Sequence, residues 1–207
     1  LTEIDMFAGF VNRTMKHVRS LGKVPVSWQG VLDSGALPKE PDQEHSSIVQ
    51  PWKCWAGLSI RASNSAIKSK HPVVMSSCWY LDYDTDWLSM MSVDQLATAI
   101  SKNAASNDYN RLALGGEGAM WTERVDHTNL ECRMWPRAAA IASRLWGLND
   151  ALLVQTHNVT MHNILEGQAA LLDLNTSKSL LISLVHFRNI LINIGVKASP
   201  IVFHKNV

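Results

Sequence analysis

Two observations predict an α/β fold with a parallel sheet, and specifically half of a (β/α)8 barrel. Short apolar runs alternate with helical stretches four times before about residue 150, which is the pattern of parallel strands joined by crossover helices. A complete barrel takes roughly 250 residues, whereas this chain has 207 and room for four units. Because half a barrel leaves open sheet edges, we expect an N-terminal chain or fragment to complete it.

The first element is a helix over residues 1–21, which glycine at position 22 should end. Its apolar side chains recur at helical spacing and would line one face: Ile4, Phe7, Phe10, Val11, Met15 and Val18. A first strand is predicted at 24–28 (VPVSW), and a loop continues from there to about residue 45.

Three more strands are predicted at 48–52, 73–77 and 112–116, with helices at 58–69, 93–103 and 130–148. The run at 73–77 is continuously apolar, as in parallel strands buried on both faces. An open doubly wound sheet is the alternative architecture. No glycine-rich phosphate loop supports it.

Composition and cysteine spacing exclude several classes of partner. Nineteen basic and 18 acidic residues give no electrostatic reason to expect nucleic acid, and no run of about 18 apolar residues could span a bilayer. Cys54, Cys78 and Cys132 fit no metal-ligand spacing, so we expect no metal or cofactor. The three are interpreted as buried thiols, although one could pair with a second chain.

Three Asn-x-Ser/Thr sequons favour a secretory route, with glycosylation predicted at Asn12, Asn158 and Asn175. Residues 1–5 lack the features of a signal peptide, and the chain does not begin with Met. We therefore interpret it as a processed or excised chain of a lumenal protein.

Tryptophan is unusually frequent, with eight in the chain. Four of them fall at or just after predicted strand ends, where a barrel carries its chemistry: Trp28, Trp52, Trp79 and Trp121. Sugar sites use such flat apolar rings against the C–H faces of the ligand. Trp52 could instead cap the barrel. Trp135, Arg137 and Trp146 recur at helical spacing and are expected to be packing residues.

Several long motifs, in order along the chain, resemble family 20 β-N-acetylhexosaminidases. Residues 114–130 (LGGEGAMWTERVDHTNL) are similar to the last-strand motif of that family, and 133–138 and 142–146 to the helix after it. Residues 26–33 (VSWQGVLD), 49–52 (VQPW) and 74–82 (VMSSCWYLD) resemble its fifth, sixth and seventh strands. The resemblance implies that residues 1–150 form the C-terminal half of the barrel, about strands 5–8. Residues 151–207 would be the C-terminal loop and closing helix of the same domain.

The activity that the resemblance implies is removal of terminal β-linked N-acetylglucosamine or N-acetylgalactosamine. In this family the substrate's own 2-acetamido oxygen attacks the anomeric carbon, which departs from the two-carboxylate scheme. By resemblance, Tyr80 is the catalytic residue whose hydroxyl donates a hydrogen bond to the acetamide oxygen. A lysosomal or secreted location is implied as well.

The substrate-binding residues implied by the resemblance are Trp28, Trp52, Trp79, Asp82, Trp121 and Glu123. The tryptophans would wall the pocket, and Glu123 would accept hydrogen bonds from the sugar's O4 and O6 hydroxyls. Asp82 would face the O6 side, where its charge would repel a sulfated sugar.

The paired Asp-Glu of the family, which orients the amide and supplies the general acid, is missing from this chain. The pair belongs to the fourth strand, so we expect it on the N-terminal partner. The alternative is a non-catalytic, lectin-like glycan-binding relative. Tyr80 and Glu123 favour an enzyme, because Tyr80 has little use without this chemistry. A homodimer is possible.

Overall fold

The computed structural model describes residues 2–38, 46–55, 57–92, 107–146 and 174–201. Its strands are β1 (Val26–Trp28), β2 (Ile48–Gln50), β3 (Val73–Met75) and β4 (Ala113–Gly116). Its helices are α1 (Glu3–Ser20), α2 (Gln29–Asp33), α3 (Leu58–Lys68), α4 (Trp87–Ser92), α5 (Asn107–Leu112), α6 (Leu130–Met134), α7 (Arg137–Leu145) and α8 (Leu174–Asn193). The chain divides into two compact units: unit 1 is Leu1–Ser77 with Gln95–Gly116, and unit 2 is Cys78–Asp94 with Glu117–Val207.

Unit 1 contains a four-stranded parallel sheet in the order β1-β2-β3-β4. Ser27 pairs with Val49, and Val49 pairs with Val73, so the strands are aligned in register. Each crossover returns the chain to the same end of the sheet, as parallel pairing requires. The predicted α/β fold with a parallel sheet is therefore confirmed.

The two faces of this sheet differ in burial. Val49, Val73 and Met75 are almost completely buried, and α3 packs against β3. Successive side chains of a strand point to opposite faces. On β1 this leaves Val26 and Trp28 with 61% and 46% of their surface exposed. Within the described residues, one face is thus covered, and the other is exposed at β1 and partly buried at β2 and β3.

Between β3 and β4 the register shifts at Val73/Val74, after which Val74 pairs with Gly115. Gly115 has a φ of 137°, a conformation that side chains with a Cβ rarely adopt.

Helix α1 has a start signal and a stop signal in its sequence. Thr2 and Asp5 form a capping box at its start, which satisfies two backbone N–H groups. At the other end, Gly22 adopts a φ of 71°, the left-handed conformation typical of helix stops. The predicted helix over 1–21 is confirmed to within two residues.

The predicted apolar face of α1 is only partly covered in the structure. Val11 and Met15 are buried. Toward the N-terminus, three apolar side chains of that face remain more than 40% exposed: Ile4, Phe7 and Phe10. Apolar area left in water contributes nothing to folding, so half of this face is without a packing partner among the described residues.

Two other helices differ from their predictions. The loop expected after β1 begins with the short helix α2. The helix expected at 130–148 is divided into α6 and α7 at Pro136, which has no N–H to donate inside a helix. The helix predicted at 93–103 lies outside the described residues.

Unit 2 is built around a core of Trp87, Met91, Ala140 and Leu184, where α4 packs on α7. The expected packing role of Trp135 is confirmed, since its ring lies 5.7 Å from that of Phe187. Trp146 was expected to pack as well, and this was wrong: it follows the last residue of α7 and is 84% exposed.

The prediction that all three cysteines are buried thiols was wrong for two of them. Cys54 and Cys78 are disulfide-bonded, and Cys132 is a free thiol. Pairing depends on how the fold places two Cα atoms, which spacing along the chain does not determine.

The predicted glycosylation sites fall in different settings. Asn12 lies in α1 and Asn175 in α8. Asn158 lies outside the described residues, as does the domain boundary predicted near residue 150. Among the described helices, none is both long and apolar enough to cross a membrane.

Candidate functional site

Two segments of unit 2 lie side by side. Tyr80 and Ala119 form a parallel bridge. Two hydrogen bonds hold it, from the Leu81 N–H to the Ala119 carbonyl at 2.7 Å and from the Ala119 N–H to the Trp79 carbonyl at 2.8 Å. The segment that follows β3 is thereby fixed beside the one that follows β4.

This bridge brings Asp82 next to Trp121. The backbone N–H of Trp121 donates to Oδ1 of Asp82 at 3.2 Å, and Asp82 is 5% exposed. The carboxylate therefore has a structural partner on the opposing segment. Trp121 itself is 41% exposed and Glu123 lies exposed two residues later, so both side chains are accessible.

Tyr80 occupies an environment that favours its neutral form. Its side chain is 9% exposed, and its ring meets that of Tyr83 edge-on with centroids 5.8 Å apart. Burial, with smaller contributions from Tyr83 and Asp82, raises the pKa of Tyr80 to about 12. A phenol with this pKa keeps its proton at neutral pH and remains a hydrogen-bond donor.

Glycine at position 118 permits the close approach of these segments to α7. A Cβ there would lie 3.0 Å from Cδ1 of Ile141, which is itself buried. The segment carrying Trp121 and Glu123 thus rests on α7 without an intervening side chain. Such contacts are a reason for glycine to occupy a position whose backbone is unstrained.

Trp79 does not fit the substrate-binding role predicted for it. It is 1% exposed, and its indole N–H donates to the Met90 carbonyl at 2.9 Å. The ring packs inside unit 2 beneath the bridge. Adjacent residues of an extended segment face opposite ways, so Trp79 and Tyr80 cannot both face a ligand.

Unit 1 carries a separate aromatic cluster beyond β1 and β2. Trp52 lies edge-on to Trp28 at 6.4 Å and edge-on to Trp55 at 5.8 Å. Trp28 and Trp55 are about half exposed. Edge-to-face pairs of this kind are the preferred aromatic geometry. Trp55, to which the sequence assigned no role, joins the two predicted wall residues.

Polar contacts hold this cluster in place. Gln29 is buried, and its Oε1 accepts the N–H groups of Trp52 and Lys53, each at 3.2 Å. The Lys53 ammonium pairs with Asp33 at 2.6 Å and lies 5.9 Å from the Trp52 ring centroid. No spacing rule connects Gln29 with backbone groups 23 and 24 residues further along the chain.

A cavity of about 330 Å³ in unit 2 is distinct from these residues. It is lined by Asp84, Arg133 and Arg137 among others, and by none of the predicted site residues. Arg133 is already paired with Asp84 there. Across the described ranges, no group of three or more His, Cys, Asp or Glu is arranged to hold a metal ion.

Unit 2 therefore brings together Tyr80, Asp82 and Trp121, with Glu123 on the same segment as Trp121. In unit 1, Trp28 and Trp52 contact each other. Arg137 was expected to pack, and instead makes several hydrogen bonds to backbone carbonyls.

Comparison with known proteins shows the family to which the chain belongs. The family model for the catalytic domain of glycosyl hydrolase family 20 matches residues 2–149. Beta-hexosaminidase A of Caenorhabditis briggsae is 36% identical over 141 residues, or 61% of this chain. The beta-hexosaminidase subunit beta of Felis catus is 32% identical over 160 residues, or 74% of this chain. Since the family match covers most of the chain, the chain belongs to glycosyl hydrolase family 20.

A solved structure supports the same assignment. The chitobiase of Flavobacterium johnsoniae is similar with a TM-score of 0.57 and 27% identity, and the match covers 82% of this chain. The chain spans about a quarter of the length of these proteins: 24% of the Caenorhabditis protein, 28% of the Felis protein and 24% of the chitobiase.

Proposed function

We propose that this chain forms part of an exo-acting β-N-acetylhexosaminidase, which hydrolyses terminal β-linked N-acetylglucosamine or N-acetylgalactosamine. The chain supplies the wall of the sugar site and the tyrosine that stabilises the oxazolinium intermediate. The observation that carries the proposal is the Tyr80–Ala119 bridge, which places a protonated phenol next to the Asp82–Trp121 contact.

In this mechanism the substrate's acetamide oxygen attacks the anomeric carbon, and the aglycone leaves as its oxygen is protonated. Tyr80 donates its O–H to the acetamide oxygen and so orients the attacking group. Holding nucleophile and electrophile in one bound molecule gives the advantage of an intramolecular reaction. Tyr80 can make this donation at neutral pH, because its pKa of about 12 keeps the phenol protonated.

The remaining residues bind and orient the sugar. Trp28, Trp52 and Trp121 offer aromatic faces to the ring and to the acetamide methyl. Glu123 accepts hydrogen bonds from O4 and O6, each charge-assisted bond contributing about 1.5–3 kcal/mol. Asp82 faces O6 and disfavours a sulfate there. Trp79 supports Tyr80 from beneath, in keeping with its burial.

We further propose that β1–β4 are the C-terminal half of a (β/α)8 barrel, completed by an N-terminal part of the same enzyme. That part carries the Asp-Glu pair and therefore the general acid. The open face of the sheet at Val26 and Trp28 supports this, as do the exposed apolar side chains of α1. Both surfaces are ones that further strands and helices would cover.

The enzyme is proposed to be lysosomal or secreted, with glycans at Asn12, Asn158 and Asn175. Homodimerisation is compatible with this proposal. The sequons and the membership of a family with beta-hexosaminidase relatives support the location.

The test compares two aryl glycosides with the intact protein: the β-N-acetylglucosaminide and the β-glucoside that lacks the acetamide. We expect turnover of the first and at least about a hundredfold slower turnover of the second, because the internal nucleophile is gone. Binding of the first without turnover would favour the lectin-like alternative. Equal turnover of both would contradict the mechanism.

A further inference from the structure

One guanidinium group, that of Arg137, binds several backbone carbonyls of the segment after Tyr80. Arg137 donates from Nη2 to the Leu81 carbonyl at 2.6 Å and from Nη1 to the Thr85 carbonyl at 3.0 Å. Its Nη1 also donates to the carbonyl of Tyr83. One side chain thus binds three alternate carbonyls of residues 81–85, a segment without regular ladder pairing.

A second arginine reinforces this arrangement. Arg133 forms an ion pair with Asp84 and donates to the Asp82 carbonyl at 3.4 Å. The guanidinium of Arg137 also donates to the backbone carbonyl of Arg133, and this hydrogen bond links the two arginines. Between them they contact every residue from 81 to 85.

Arg137 lies at the start of a helix that packs in the core of unit 2. It is the first residue of α7, directly after the buried Pro136. One turn further on, Ala140 is fully buried in the core with Trp87 and Met91. Because a close-packed core resists displacement, the backbone from which Arg137 extends is held in place, and the hydrogen bonds to the carbonyls orient its guanidinium.

We infer that Arg137, assisted by Arg133, is a positioning residue that sets where Tyr80 and Asp82 lie; the inference rests on the proposed hexosaminidase function. Backbone carbonyls in an irregular segment need donors. A guanidinium offers five in one rigid plane, so it can fix several carbonyls at once, whereas an ammonium group is a point charge on a flexible stem. Catalysis responds steeply to small displacements of an orienting group.

The experiment uses the intact protein with the variants Arg137→Gln and Arg137→Lys, and Arg61→Gln on the exposed face of α3 as control. On the aryl β-N-acetylglucosaminide we expect Arg137→Gln to lower kcat at least about tenfold with KM changed less. Arg137→Lys should restore part of the loss, and Arg61→Gln should match the wild type. Should the glutamine variant fail to fold, Arg137→Lys carries the test.

A double-mutant cycle with Tyr80→Phe distinguishes positioning from general destabilisation. If Arg137 acts through Tyr80, Arg137→Gln should lower kcat less than about threefold further in the Tyr80→Phe background. The same fold loss in both backgrounds would overturn the inference.

Hydrogen exchange gives a readout that does not depend on activity. Arg137→Gln should speed amide exchange in residues 79–85 and leave the strands of the sheet unchanged. Unchanged exchange in 79–85, or faster exchange throughout, would contradict the inference. If the wild type hydrolyses no N-acetylhexosaminide, the proposed function fails, and the exchange measurement still decides whether Arg137 holds this segment.

Discussion

At the scale of single residues, the proposed chemistry centres on a tyrosine that resists ionisation. Burial raises the pKa of Tyr80 to about 12. The folded state therefore holds this proton more tightly than the unfolded chain does. The resulting stabilisation is fully present below pH 10 and is lost as the pH rises from about 10 toward 12.

Phenolate absorbance should report this property. Tyr80→Phe is expected to remove the titration step near pH 12 and leave the steps of the other tyrosines in place. Correspondingly, any fall in activity between pH 7 and 10 should arise from groups other than Tyr80. A step lost near pH 10 instead would show that Tyr80 is an ordinary exposed phenol.

We expect Asp82 to disfavour sugars that carry a negative charge at O6. Asp82→Asn removes the negative charge but keeps an oxygen that can accept the N–H of Trp121. We expect the ratio of kcat/KM for a neutral over a 6-sulfated glucosaminide to fall by about tenfold, as one unfavourable charge contact of about 1.4 kcal/mol is removed. Glu131→Gln, on the exposed surface of α6, serves as control. An unchanged ratio would place Asp82 away from O6.

The sequence predicted the placement of residues that stand in long motifs. It did not predict contacts with backbone atoms distant along the chain. Tyr80, Asp82 and Trp121 stand in long motifs, and the structure places them together. The prediction that Trp79 lines the pocket rests on its place in the motif. The motif does not determine the direction of the ring. Gln29 and Arg137 bind backbone atoms distant in sequence, and no side-chain pattern records such contacts.

At the scale of elements, alternating apolar runs predicted all four strands, because burial in a parallel sheet requires them. Helix α3 was predicted to within one residue. The division of the helix after β4 at Pro136 could have been predicted from the proline alone. The register shift at Gly115 could not, since it depends on how β4 meets β3.

The contact of Gly118 with α7 leads to a stability prediction. Gly118→Val would force side-chain carbons into the space of Ile141, at a cost of about 1–3 kcal/mol in unfolding free energy. Gly30→Val is the matched control, because a Cβ at that position meets nothing within 4 Å. Denaturant unfolding of the intact protein measures both. Equal midpoints for the two variants would mean that the segment does not rest on α7.

At the scale of the whole molecule, the sequence indicated the family, and the incompleteness of the barrel stays a prediction. What it did not indicate is which apolar surfaces stay open. The α1 pattern predicted one continuous buried face, yet only its C-terminal part is covered. Periodicity identifies a face that can be buried, and the covering surface belongs to another part of the fold.

The completed-barrel proposal makes a direct prediction for that face. Phe10 is 59% exposed in the described chain. If this surface stays exposed to solvent, Phe10→Asp should change the free energy of unfolding by less than about 0.5 kcal/mol. In the intact protein we expect it to cost at least about 2 kcal/mol, because the ring would be buried there. Lys16→Asp, at an exposed position of the same helix, controls for added charge.

If Tyr80 stabilises the acetamide during its attack as proposed, the Tyr80→Phe variant must have a lower kcat. On an aryl β-N-acetylglucosaminide the intact variant should lose about 10²–10³ in kcat, the cost of removing one donor to developing charge. Tyr83→Phe, which removes the hydroxyl of an exposed neighbouring ring, should stay within about threefold of the wild type. A Tyr80→Phe loss below about tenfold would contradict the account.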